Sequence, residues 1–136
     1  MANRDVAAGV NGLRQVAQHV DDLDRAVTFY RDVVGLELVA RFEPPGLAFF
    51  GLGSTRLLLE AGAPPALLYL DVDDVAAATD DLRAKGVTIE SEPHVIHVDV
   101  DGQFGPAGEA EEMAFFRDSE GNLVGLAGRR APRPRD

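Results

Sequence analysis

Apolar and polar residues follow two different periods along the chain, and the longer period marks helices between strands. Between Leu23 and Val34 the apolar side chains recur at spacings of three and four residues, as on one face of an α-helix. Asp21 or Asp22 can cap the helix N-terminus with its carboxylate, and Gly35 can end the helix. The pattern predicts an amphipathic helix whose buried stripe is formed by Leu23, Ala26, Val27, Tyr30 and Val34.

The same pattern occurs a second time. Val20-Asp21-Asp22-Leu23 recurs 52 residues later as Val72-Asp73-Asp74-Val75. A second apolar stripe follows with Val75, Ala78 and Leu82, and Gly86 ends it. Self-similarity at a fixed offset indicates an internal duplication.

Strands surround both predicted helices. Turn signals such as Pro44-Pro45-Gly46 separate short runs with the period of two that half-buried strands show. The predicted fold class is α+β, with two paired βαβββ modules that form a curved mixed sheet around a cleft, because modules of this size cannot each bury a sheet alone. The predicted strands begin near Gln15 and Leu67 and continue as 36–42, 47–51 and 56–60 in the first copy and 87–90, 113–117 and 122–127 in the second.

The domain boundaries follow from this pattern. Residues 1–11 form an N-terminal extension, and residues 12–128 form a single domain. Within that domain the first module is 12–60, the linker 61–65 and the second module 66–128. Alternating Pro and Arg cannot build a helix or a central strand, so we expect 129–136 to be a disordered tail.

Composition and charge narrow the class of protein. Hydrophobic residues make up 46% of the 136 residues, as in ordinary globular domains. The net charge of -10 argues against nucleic acid as a partner, and no apolar run reaches the roughly 20 residues that span a membrane. The chain has no cysteine, which excludes disulfides and thiolate chemistry. We expect a cytoplasmic protein.

Two local motifs resemble those of a known family. The stretch from Leu23 through Phe29-Tyr30 to Gly35-Leu36 resembles the first helix of the vicinal oxygen chelate superfamily, which includes glyoxalases, bleomycin resistance proteins and dioxygenases. The hairpin Phe115-Phe116-Arg117-Asp118-Ser119-Glu120-Gly121-Asn122 resembles the one before the superfamily's last strand. A narrower likeness is to small single-domain members. The resemblance implies a cleft for a small molecule and a homodimer.

The resemblance also implies a divalent metal held by side chains from four strands. Carried over by position, the four ligand places fall on Gln15, Leu57, Leu67 and Gly125. Glutamine is an acceptable metal ligand, whereas leucine and glycine offer no donor side chain. Glu60 is three residues from Leu57, an odd displacement that we expect to turn it to the opposite sheet face. Three of the four places therefore lack a donor, and the sequence predicts that the usual metal site is not formed.

Strand parity predicts which side chains remain in the cleft. If Gln15 faces inward, a mainly apolar set joins it, which is typical of an organic-ligand pocket, although the leucines could equally fill the core. Gly125 is expected to leave space where a carboxylate would have stood. The predicted cleft-facing residues are Gln15, Ala17, His19, Leu57, Leu59, Leu67, Tyr69, Asp71, Leu123, Gly125 and Ala127, with aromatic contacts from Phe49, Phe104 and Phe115.

A replacement metal site is the main alternative. His94 and His97 lie close together in sequence and could join Gln15 and Glu112 around a divalent metal, although an i, i+3 pair in a strand points to opposite faces. The histidines could instead bond a ligand, or be loop residues that are solvated or that cap neighbouring acids. The glycine-containing stretch 99–111 lacks the ligand pattern of a calcium-binding EF-hand and is predicted to be a mobile flap or partner-contact loop.

Three hypotheses for function result. The leading one is a glyoxalase/bleomycin-resistance-like protein that binds a small organic molecule without a metal cofactor, with cationic or neutral ligands favoured by the acidic surface. The second is a metal-dependent lyase, epimerase or dioxygenase with rearranged ligands. The third is a protein-interaction module that uses the 99–111 loop and the Arg/Pro tail. The sequence identifies no catalytic residue.

Overall fold

The computed structural model describes residues 9–131, which fall into two compact units divided between Pro64 and Pro65. We call residues 9–64 the first module and residues 65–131 the second module. Each module contains one four-stranded mixed sheet and one helical segment in the order βαβββ. The predicted α+β class and the duplication are confirmed.

The first module forms its sheet in the order β1-β4-β3-β2. β1 is parallel to β4, and the remaining neighbours are antiparallel. Its elements are β1 Gln15–His19, α1 Leu23–Thr28, a π-helical turn Phe29–Val34, β2 Glu37–Phe42, β3 Leu47–Leu52 and β4 Thr55–Glu60.

The second module repeats this topology with the order β5-β8-β7-β6. β5 is parallel to β8, and the other pairs are antiparallel. Its elements are β5 Leu68–Asp71, α2 Val75–Ala84, β6 Ile89–Val98, β7 Ala110–Arg117 and β8 Leu123–Arg130.

Both helices begin and end as the sequence predicts. The Asp22 carboxylate accepts a hydrogen bond from the Arg25 N–H at 3.1 Å, and Asp74 accepts one from the Ala77 N–H at 3.0 Å. These contacts satisfy backbone donors that have no partner inside a helix. Gly35 ends the first helical segment with φ of 89°, a left-handed conformation that glycine adopts without steric cost.

The core of each module lies between its helix and one face of its sheet, which we call the helix face. In the first module the Tyr30 ring is 6.2 Å from the Phe50 ring, and both side chains are fully buried. In the second module a Cβ at Gly128 would lie 3.1 Å from Val75 of α2, which places Gly128 and its alternate neighbours Leu126 and Val124 on the helix face. The opposite side of each sheet is called the open face.

Three strands of the second module are longer than predicted, and β7 begins three residues earlier, at Ala110. β6 extends to Val98 and so contains His94 and His97, which are therefore strand residues and not loop residues. β8 extends to Arg130, so the predicted tail loses its first two residues to the sheet. Residues 132–136 of that tail and residues 1–8 of the predicted extension lie outside the described residues. Within residues 9–131, no helix has the length and apolar character that crossing a bilayer requires.

A candidate ligand site on the second module

The open face of the second module is built from cross-strand rows of side chains. Neighbouring residues in register point to the same face of a sheet, so the pairings identify each row. The first row contains Tyr69, Gly125 and Phe115. The second contains Asp71, Ala127, Met113 and His94, and the third contains Arg129, Glu111 and His97.

The first row is aromatic and closely packed. The Tyr69 and Phe115 rings meet edge to face with centroids 5.9 Å apart. A Cβ at Gly125 would lie 2.9 Å from Tyr69, closer than real Cβ atoms come, and 3.0 Å from Phe115, which is also a very tight contact. The space that the sequence analysis left open above Gly125 is therefore occupied by these two rings, and that expectation was wrong.

The third row is tied to the loop 99–109, which connects β6 and β7. Asp99 is 1% exposed and accepts hydrogen bonds from the backbone N–H groups of Gln103 at 2.8 Å and Phe104 at 2.9 Å. Arg129 donates to the same carboxylate at 3.0 Å. The Phe104 N–H bond, followed by the Gln103 and Arg129 bonds, holds the pKa of Asp99 below its ordinary value against the opposing effect of burial.

Arg129 joins the loop to the sheet. Its Nε donates to Glu109 at 2.8 Å, one Nη donates to the Pro106 carbonyl at 3.2 Å, and the other lies 3.5 Å from Glu111. The loop approaches so closely that a Cβ at Gly105 would lie 2.7 Å from the Arg129 Nε. The loop predicted as a mobile flap or partner-contact loop is thus anchored at its base by a buried carboxylate and a guanidinium.

A pocket opens between this loop and the second and third rows. Its volume is about 450 Å³. Phe104, which is 75% exposed, forms an edge-to-face contact with His97 at 6.4 Å. The lining residues are Asp71, His97, Phe104, Glu111, Met113, Gly128 and Arg129.

The alternative metal ligands do not converge within the second module. His94 lies opposite Met113, and a register shift between Val95 and His97 places His97 opposite Glu111. Both histidines therefore belong to open-face rows although they are three residues apart. Glu112 pairs with Val95 on the other face and lies 3.5 Å from Arg130. Among the described residues, no group of three His, Asp or Glu side chains is placed to hold a metal ion.

The open face of the first module carries a different set of side chains. Gln15 is in register with Arg56, whose Nε donates to the Gln15 Oε1 at 2.7 Å. The Arg56 guanidinium also lies 5.4 Å from the centroid of the Phe49 ring, and Phe49 in turn meets Phe42 edge to face at 5.9 Å. The amide oxygen that would serve as a metal ligand therefore already accepts from a cation.

The predicted direction of β4 was wrong. Leu57 pairs with Phe50 and Leu59 with Ala48, and all four are fully buried on the helix face. The β4 residues that share the open face with Gln15 are Arg56, Leu58 and Glu60, so the expectation that Glu60 lies on the opposite face was also wrong. A run of three leucines in β4 gives no alternation from which to choose the phase, since all three are buried.

His19 lies on the predicted face, but both nitrogens of its ring already contact groups of the first module. Its Nδ1 lies 2.9 Å from the Ala61 carbonyl and 3.1 Å from the Ala63 carbonyl, and its Nε2 lies 2.8 Å from the Asp21 carboxylate. Both ring nitrogens face acceptors, which favours the doubly protonated ring. The Asp21 hydrogen bond above all, with the two carbonyls, raises the pKa of His19. We assign His19 to the anchoring of the linker.

The four residues onto which the resemblance carries the family's metal ligands do not fit a metal in this chain. Gln15 is bonded to Arg56, and Leu57 faces the helix. Leu67 precedes β5 and is 46% exposed without a donor atom, and Gly125 lies under two aromatic rings. Divalent metals require oxygen, nitrogen or sulfur donors, so these residues cannot form the usual site.

Each module has the βαβββ order with one four-stranded mixed sheet, and aromatic rings lie on the open face of that sheet. This arrangement identifies the class of protein. The chain belongs to the glyoxalase/bleomycin resistance protein/dioxygenase superfamily, whose family model matches residues 12–126. The resemblance seen in the sequence is confirmed.

Known relatives are similar over most of their length. A probable lactoylglutathione lyase of Vibrio cholerae is 28% identical, with 79% of this chain and 83% of that protein covered. The crystal structure of a lactoylglutathione lyase from Agrobacterium tumefaciens is 29% identical with a TM-score of 0.63, covering 88% of this chain and 95% of that one. TnmS3, an antibiotic binding protein from Streptomyces sp. CB03234, shares the fold with a TM-score of 0.69 at 24% identity, covering 90% and 98%.

Some residues of the site were outside the sequence prediction. Arg129 falls in the predicted tail, because the basic cluster of the sequence begins there. Asp99 falls in the predicted 99–111 loop without a role of its own, although an Asp at the start of a glycine-rich turn commonly accepts backbone N–H groups. Arg56 carried no motif, and its pairing with Gln15 depends on the register of β1 and β4.

Proposed function

We propose that the protein binds a small organic molecule on the open face of its second module and that it does so without the family's usual metal. The observation that carries this proposal is the pocket of about 450 Å³ between the 99–109 loop and the sheet. Its size falls within the roughly 300–1,000 Å³ of small-molecule sites in proteins.

The chemistry of the lining supports this proposal. Phe104 and Met113 supply apolar surface, while Asp71, His97 and Glu111 supply polar groups that can orient a ligand. Phe104 stays exposed because Asp99 holds its backbone N–H at the base of the loop. An exposed aromatic ring beside an open pocket provides contact area that a bound ligand would cover.

A thermal-shift screen tests the proposal. The panel contains aromatic antibiotics, including bleomycin, together with 2-oxo acids. We expect at least one organic compound to raise the Tm of the purified protein, and Phe104→Ala to weaken its binding about tenfold, the loss of one good aromatic contact. Val95→Ala is the control, since Val95 is also an exposed apolar residue but lies in β6 and pairs with Glu112 on the other face. Binding that is unaffected by Phe104→Ala would place the ligand elsewhere.

A metal-dependent lyase is the second candidate, because two of the relatives are named as lactoylglutathione lyases. Metal analysis of the purified protein and an assay for lactoylglutathione formation with added Zn²⁺, Ni²⁺ or Mn²⁺ separate the two functions. We expect no stoichiometric metal and no turnover. Stoichiometric metal that is lost in both Glu112→Ala and His94→Ala would support the lyase instead.

The expected assembly is a homodimer in the cytoplasm. This expectation rests on the family's tendency to pair and on the composition of the chain. Light scattering coupled to size-exclusion chromatography tests the oligomeric state, and a single peak at the 14.6 kDa of one chain would contradict the dimer.

A further inference from the structure

The pocket of the second module carries an excess of negative charge. Three carboxylates, those of Asp99, Glu109 and Glu111, pair with Arg129. Asp71 also lines the pocket and has no ion pair among the described residues, so the acidic groups outnumber the one guanidinium. The local field is therefore negative, and such a field raises the local concentration of cations.

The same pocket presents an aromatic face. Phe104 is held in place through its backbone but remains 75% exposed, and its ring lies 6.4 Å from that of His97. The face of an aromatic ring attracts a positive charge, most strongly for organic cations that are easily stripped of water. An aromatic face next to carboxylates is the arrangement that recognises ammonium groups.

The pocket is not arranged for an inorganic cation. A metal ion requires several donors that converge at bonding distance, and no group of three such side chains is placed to do so in residues 9–131. An organic ammonium needs only a negative field, a ring face and an apolar surface for its hydrocarbon part. Met113 provides that surface on the second row.

We infer that the ligand is an organic cation, an amine or quaternary ammonium joined to an apolar group, with its charge near Asp71 and its hydrocarbon part against Phe104 and Met113. This inference rests on the proposed function and adds the charge class of the ligand. The first module's open face lacks this preference, because Arg56 already lies over Phe49 there.

Three probes with the same ring test the charge preference: 2-phenylethylammonium, 2-phenylethanol and phenylacetate. Their affinities are measured by ¹H–¹⁵N NMR titration, with the amides of Phe104, Glu111 and Met113 as reporters of the pocket. The cation is expected to bind about fivefold more tightly than the alcohol, the factor of one solvent-exposed charge contact, and phenylacetate is expected to bind most weakly. Raised salt should reduce the difference, because it screens exposed charges.

Asp71→Asn should remove most of the preference for the cation, and it is expected to fold because Asp71 is exposed. Asp80→Asn is the matched control, since it removes the same charge from the exposed surface of α2. Equal affinity for the cation and the alcohol overturns the charge preference while leaving the proposed function in place. Absence of pocket shifts with all three probes, together with an empty result from the wider panel, overturns both.

Discussion

The two modules share one topology but use their open faces differently. Both have the βαβββ order, the Asp-capped helix and a mixed sheet with its first strand parallel to its last. β2 and β3 are joined by the four residues 43–46, whereas β6 and β7 are joined by the longer segment 99–109. The longer connection supplies Asp99 and Phe104 and so forms a pocket wall. The residues of the helix faces thus maintain the shared fold, whereas the longer β6–β7 connection adds the wall that the first module lacks.

The largest expected effect tests whether the two helix faces are equivalent. Phe50 and Phe116 are both fully buried, so Phe50→Ala and Phe116→Ala should each lower the free energy of unfolding by about 3–5 kcal/mol. The neighbouring Phe49 and Phe115 are half-buried on the open faces, and their alanine variants should cost about 1–2 kcal/mol. Urea unfolding measures all four. A larger loss at Phe49 than at Phe50 would invert our assignment of the faces.

The next effect separates the open faces. Gly125→Ala should destabilise the protein by about 1–3 kcal/mol relative to Gly51→Ala, because its Cβ would meet the Tyr69 and Phe115 rings. A Cβ at Gly51 of the first module would make only ordinary contacts at 3.8 Å or more. Both substitutions reduce the freedom of the unfolded chain in the same way, so the difference in their free energies of unfolding isolates the packing. Equal stability of the two variants would show that the ring pair does not cover Gly125.

A more local effect concerns the loop that distinguishes the second module. Asp99→Ala removes the acceptor of two backbone N–H groups and one partner of Arg129. Amide exchange in 100–109 should become about tenfold faster, while α2 stays protected. Asp101→Asn, an exposed change in the same loop, serves as the control. Unchanged amide exchange in Asp99→Ala would show that Asp99 does not anchor the loop.

The smallest expected effect belongs to the first module and depends on pH. The pKa of His19 is raised above 6.5, so its stabilising contribution is present below pH 6.5 and is lost as the pH rises through the folded-state pKa. The Tm difference between the natural protein and His19→Gln should therefore shrink between about pH 5.5 and pH 8.5. A difference that grows with pH would contradict the double protonation of the ring.

The sequence was informative where a pattern is local. The helix caps, the glycine stops and the duplication all follow from residues near each other in the chain, and alternation predicts the shared face of Tyr69 and Asp71. The phase of β4 could not be predicted, because Leu57, Leu58 and Leu59 are all buried. The register shift in β6 that aligns His94 with His97 leaves no clear trace in the sequence.

The anchoring of the 99–109 loop was equally hidden, since Arg129 is 30 residues away from Asp99 along the chain. Contacts of this kind depend on which strands become neighbours. The sequence therefore identified several residues of the candidate site as chemically suitable, but it did not show that they lie together. The structure adds the register that brings them together.

Hydrogen–deuterium exchange with and without a ligand from the thermal-shift screen shows directly whether the ligand binds on the second module, as we propose. We predict that the ligand slows exchange in 97–113 and 127–129 and leaves 15–19 and 56–60 unchanged. Slower exchange at Gln15 and Arg56, with none around Phe104, would move the site to the first module and contradict the account.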